Sequence, residues 1–211
     1  MMRAVQAGVG VGLLGLIWFG PLPALARHSF AAHMTMHMGV VAVAAPLVAL
    51  ALAGSARDPM QCVRWPAAAL AASMLELIVV WGWHAPVLHQ AARLATPMLV
   101  LEQGSFLSVG LLLWLTAVGG RGDRRQAAAG AGVAALLFTS MHMTLLGALF
   151  ALATRPLFQH AGVTAGAVAD QQLGGAIMLI VGGTSYLIGG LWLSARLLGP
   201  LSASPQQESR R

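Results

Sequence analysis

The stretch Phe30-Ala31-Ala32-His33-Met34-Thr35-Met36-His37-Met38-Gly39-Val40-Val41-Ala42-Val43-Ala44-Ala45-Pro46-Leu47-Val48-Ala49-Leu50-Ala51-Leu52-Ala53 runs 24 residues without a formal charge. A hydrocarbon core of roughly 30 Å needs about 20 helical residues, so this run is long enough to cross a bilayer. It does not alternate apolar with polar, which argues against a membrane strand. Five further runs of the same kind flank it: about 4–26, 66–88, 96–118, 127–154 and 171–197. A chain that is 58% hydrophobic and 9% charged, with a mean hydropathy of +0.77, lies far from the roughly 25% charge of soluble domains. The expected fold is therefore all-α: a polytopic transmembrane helix bundle of about six spans, or five if the first is a cleaved signal.

The first run reads as a retained helix. Arg3, the apolar stretch through Phe19 and Ala24-Leu25-Ala26 also fit a signal peptide. Residues 1–26 thus form a first transmembrane helix or signal peptide, 27–198 a membrane domain, and the proline-bearing 199–211 a disordered cytoplasmic tail.

Charge sets the orientation. The formal +6 arises from twelve arginines and no lysine against six acids. With an inside N-terminus, Arg3, Arg57, Arg64, Arg121, Arg124, Arg125, Arg196, Arg210 and Arg211 fall inside. Arg27, Arg93 and Arg155 fall outside, and nine against three is a strong positive-inside bias. Arginines placed in loops between apolar runs are topology signals, so nucleic acid is not an expected partner. The lone Cys62 lies in an inner loop and excludes a disulfide framework or a cysteine-based cluster.

This orientation gathers the histidines on the outer side. His33 and His37 stand four apart at the start of the second run, which stacks them on one helix face. Met34 and Met38 form a second pair rotated by about 100°. Trp83-His84-Ala85-Pro86 closes the third run, with His89 just beyond; Met141-His142-Met143 lies in the fifth, and His160 in the last outer loop. Imidazole with thioether is the donor set a soft ion such as Cu(I) prefers. The expected metal ligands are accordingly His33, His37, Met34, Met38, His84, His142, Met141 and Met178. His28 and His89, taken singly, read as interfacial packing residues.

Glu76, Glu102, Asp170 and Gln171 are the expected supporting polar residues, since acids within or beside a span are functional candidates. Pro46 should kink the second span. Gly174-Gly175, Gly182-Gly183 and Gly189-Gly190 recur at seven or eight residues, a small-residue stripe for close helix packing. Gln171 and Met178 share that face and should point into the bundle.

Several of these stretches resemble the CtaG-type cytochrome c oxidase assembly factors first associated with caa-type oxidases. The resemblance rests on Ser29-Phe30-Ala31-Ala32-His33-Met34 with His37-Met38, on Ala45-Pro46-Leu47, on Trp83-His84-Ala85-Pro86, and on Glu102. Its most specific part is Asp170-Gln171-Gln172-Leu173-Gly174-Gly175-Ala176-Ile177-Met178. The chain departs from many relatives at Leu179, where they carry Trp, and many are longer. The resemblance implies a non-enzymatic protein of the bacterial cytoplasmic (inner) membrane, needed to assemble a haem–copper oxidase. Its implied partners are the oxidase subunits, membrane lipid and a periplasmic copper donor, with copper, as Cu(I), held on the periplasmic face. Two other readings stay open from the residues alone: a b-type haem-binding electron carrier, and a metal-free assembly scaffold. Histidines on only one side argue against transmembrane haem-to-haem transfer.

Overall fold

The computed structural model describes residues 1–63, 67–120, 123–158 and 166–198, and every regular element among them is helical. Helix α1 spans Met2–Phe19 and a single turn, α2, Leu22–Leu25. The second span is one rod in three parts: α3 (Phe30–Met38), a π-helical segment Gly39–Ala44, and α4 (Ala45–Leu52). Helices α5 (Ala68–Trp83), α6 (Pro86–Leu94), α7 (Thr96–Val118) and α8 (Asp123–Ala151) follow. The last span comprises α9 (Ala167–Ile177), a π-helical Met178–Gly182 and α10 (Gly183–Leu198). Five of these rods are long and apolar enough to cross a membrane, and the bent pair α5 and α6 is a sixth candidate if it forms one span. Leu137, Leu145 and Ile188 are each more than 60% exposed. Such apolar side chains are expected to face lipid tails rather than water.

Two runs depart from the sequence reading. The first, expected to be helical over 4–26, stops at Phe19, because Gly20 is extended and Pro21 follows. The third does not continue to Leu88. Ala85 precedes a proline, a position where the α conformation is sterically disfavoured. It adopts φ −66°, ψ 134°, and α6 leaves at 71° to α5.

Beside Pro46, expected to kink the span, the helix widens into the π-helical segment. Ala45 N–H bonds to Val40 O, five residues back, and Pro46 has no N–H, so the carbonyls of Val41 and Ala42 lose their helical donors. Neighbouring helices fill the gap. Trp114 Nε1 donates to Val41 O (3.2 Å) and Ser185 Oγ to Ala42 O (2.6 Å). The disturbed turn is thus pinned to α7 and α10, as apolar surroundings demand of a freed backbone carbonyl.

The glycine stripe packs as expected. A β-carbon at Gly175 would sit 2.4 Å from Ala151 N and 2.7 Å from Gly147 O, so only glycine permits this approach of α9 to α8. Gly174 faces Phe30 and Met34, Gly182 faces Met38, and Gly189 faces Trp114. Gln171 and Met178 are buried on the same side. At the opposite end from the histidines, buried Asp58 gathers two loops. It accepts from the amides of Gly54 (2.7 Å), Met60 (2.9 Å) and Gly120 (2.9 Å). Gly54 and Gly120 have φ of 69° and 84°, left-handed values that glycine adopts without strain.

Candidate metal centre

Four imidazoles from three helices meet at one end of the bundle. His33 and His37 stack on α3 with ring centroids 6.4 Å apart and planes 11° from parallel, the outcome of their four-residue spacing. His84 lies immediately after α5, with its ring 5.4 Å from His33 and 5.2 Å from His37. His89 comes in from α6, 4.7 Å from His33. The bend at Ala85 makes this possible, since it swings α6 across the mouth of the bundle and buries the His89 face.

The His84 tautomer follows from its partner. Its Nδ1 lies 2.6 Å from Val80 O, and a carbonyl only accepts, so Nδ1–H is the donor and Nε2 carries the free lone pair. That Nε2 is buried without a hydrogen-bond partner, as are both ring nitrogens of His33 and of His37. Several buried imidazole nitrogens without hydrogen bonds, on neighbouring rings, are costly as they stand, and a cation would satisfy them.

A carboxylate completes the group. Glu102 of α7 is fully buried; its Oε2 lies 3.9 Å from His33 Nδ1 and is gripped by the Arg93 guanidinium. Gln103 Nε2 donates to the same oxygen at 3.2 Å. One donor atom each from His33, His89 and Glu102 lie within 4.8 Å of one another. Modest side-chain rotations would close that spacing to metal bonds of about 2.0–2.2 Å. Phenylalanines wall the group: Phe106 lies 4.1 Å from His37, and Phe158 4.4 Å from His89 while stacking on Phe30 at 4.6 Å. A cleft of about 210 Å³ bounded by Pro86, His89, Gln90, Arg93, Leu157 and Phe158 adjoins it. This is smaller than the roughly 300 Å³ at which organic-ligand pockets begin.

The other expected ligands lie elsewhere. Met34 and Met38 turn toward Gly174 and Gly182 of the last span, and Met178 is buried in that span. Met141 is 63% exposed on the outer surface of α8. His142 is buried beside Phe138, and among the described residues its ring meets none of the four imidazoles. His160 falls outside the described residues. The donor atoms that lie within 4.8 Å of one another come from His33, His89 and Glu102. In the sequence, His89 reads as interfacial packing and Arg93 only as a topology signal, although their four-residue spacing on a short amphipathic segment after Pro86 is the available signal for the site.

The expected supporting residues divide. Glu102 belongs to the centre. Asp170 anchors the start of α3, accepting from Ser29 Oγ (2.7 Å), Phe30 N (2.6 Å) and Ala31 N (3.4 Å). Gln171 Oε1 accepts from Leu157 N (2.7 Å), and Gln172 Nε2 donates to Ala153 O (3.0 Å), which holds the segment bearing Phe158 over the histidines. Glu76 forms a separate clasp deeper in the bundle. Thr139 Oγ1 donates to it at 3.2 Å and Tyr186 OH at 3.4 Å, while Ser73 Oγ meets Thr139 Oγ1 at 2.5 Å.

No curated protein and no solved structure matches the chain. The family model described as cytochrome c oxidase caa3 assembly factor matches residues 1–199, a range that takes in the histidine-bearing helices, Glu102 and the Asp170-Gln171-Gln172 anchor. The chain belongs to the caa3-type CtaG family of cytochrome c oxidase assembly factors.

Proposed function

We propose that this protein binds a copper ion, as Cu(I), at the convergence of His33, His37, His84, His89 and Glu102, and passes it to a haem–copper oxidase during assembly. The observations that carry the reading are the buried ring nitrogens of His33, His37 and His84 without hydrogen-bond partners, on rings 5.2–6.4 Å apart, and the donor atoms of His33, His89 and Glu102 within 4.8 Å of one another. Imidazole suits copper, and two or three such donors satisfy its monovalent state. The methionines named from the sequence serve, on this reading, as polarizable packing around α3 and the last span rather than as direct ligands.

The arginine bias supports a periplasmic position for the imidazole end. Haem–copper oxidases hold copper close to that face, so a donor opening there transfers the ion without moving it across the bilayer.

Deleting the gene tests this in the cell. Oxidase polypeptides should remain in the membrane with lowered copper content and activity, and His33→Ala or His84→Ala should reproduce the deletion. A deletion strain with fully metallated, fully active oxidase under copper limitation would overturn copper delivery.

A further inference from the structure

The Arg93 guanidinium and the proposed cargo claim the same carboxylate oxygen. Arg93 pairs with Glu102 Oε2, and that oxygen is also the one 3.9 Å from His33 Nδ1. Both side chains are buried, Arg93 at 7% and Glu102 at 0% exposure. Arg93 Nε makes no hydrogen bond, so the guanidinium does not use its planar fork on the carboxylate. Glu102 Oε1 is also left without a donor. Arg93 lies four residues beyond His89 on α6, which sets the guanidinium at the edge of the imidazole group. It also lines the adjoining 210 Å³ cleft.

We propose that Arg93 is a displaceable counter-ion: it holds Glu102 while the centre is empty, and withdraws into the cleft when copper arrives. With copper as the cargo, on which this step depends, charge balance gives the reason. Metal-free, one guanidinium offsets one buried carboxylate, and a buried carboxylate left alone would be costly. A copper ion beside His33 adds a second positive charge to the same few ångströms of low-dielectric space, where like charges repel strongly. Arginine cannot lose its proton at any ordinary pH, so it can relieve the repulsion only by moving. The same holds whether Glu102 ligates the ion directly or orients His33 through its Nδ1–H, a usual carboxylate role behind a metal-bound imidazole. Return of Arg93 to Glu102 then favours release, which fits a carrier and not a storage site.

The test uses the full chain in detergent, titrated anaerobically with Cu(I) against a colorimetric Cu(I) chelator. Arg93→Gln should raise affinity about tenfold, within the 5- to 150-fold range common for coupled binding events. Glu102→Gln should weaken binding, and Arg93→Gln added to it should change nothing further, because the competition needs the carboxylate. In the wild type, Cu(I) loading should make Arg93 newly reactive to phenylglyoxal, read by peptide mass spectrometry. Unchanged or lower affinity in Arg93→Gln would overturn the counter-ion role. So would an equal effect of Arg93→Gln in both backgrounds, or an Arg93 that stays unreactive after loading. A wild type that binds no Cu(I) would overturn the copper reading as well, whereas wild-type binding with an inert Arg93 overturns only the displacement.

Discussion

Asp170 and Ser29, 141 positions apart in the chain, meet at 2.7 Å where the last span touches the start of α3. The contact gives α3 a double cap. Ser29 Oγ accepts from Ala32 N (3.1 Å), as an N-cap should, while the carboxylate takes the amides of Phe30 and Ala31. A negative charge there also complements the helix dipole. His33 lies one turn further on, so its position depends on this anchor.

Asp170→Asn keeps one acceptor oxygen and removes the charge. Thermal unfolding in detergent should report a loss of roughly 1 kcal/mol, the usual cost of a weakened cap, and Cu(I) affinity should fall with it. An unchanged melting temperature together with unchanged affinity would contradict the anchoring role.

The glycine stripe gives a paired comparison. A β-carbon at Gly175 meets the backbone of Ala151 and Gly147, whereas one at Gly183 meets nothing within 4 Å. Gly175→Ala should therefore destabilise the protein by about 1–3 kcal/mol, as overpacking does, and Gly183→Ala should be close to neutral. Equal melting temperatures for the two variants would contradict the packing of α9 on α8.

The all-helical bundle and most of its spans were legible because long uncharged runs have few physical solutions in a bilayer. Pairing of His33 with His37 was legible too, since helical periodicity fixes it. The joining of those two with His84 and His89 was not. It depends on the 71° turn at Ala85, and residues as ordinary as Ala85-Pro86 do not announce how sharply a chain will bend. Thioether ligation was a natural expectation from Met34 and Met38. A rotation of about 100° along the helix, however, points them at the glycine stripe instead of the imidazoles. Glu76 was legible as a buried acid, but its partners Thr139 and Tyr186 sit on other helices.

Orientation can be checked by reporter fusions. Junctions after residues 60 and 122 should read cytoplasmic and one after residue 92 periplasmic, from the nine-to-three arginine distribution. A periplasmic signal at residue 122 would reverse the bundle and place the imidazole end inside.

Met34→Leu and Met38→Leu separate packing from ligation. Both side chains fill space against Gly174 and Gly182, so the variants should bind Cu(I) with wild-type stoichiometry and a stability change below about 1.5 kcal/mol. Loss of binding in either would return the thioethers to the ligand set.

Anaerobic Cu(I) titration of the purified chain, wild type beside the His33→Ala, His37→Ala double variant, bears most directly on the proposed copper centre. The wild type should take up one equimolar ion. The double variant should take up none while keeping its helical circular dichroism, because the bundle is held by glycine-stripe and apolar packing away from the site. Unchanged stoichiometry in the double variant, or no uptake by the wild type, would contradict copper binding by these imidazoles.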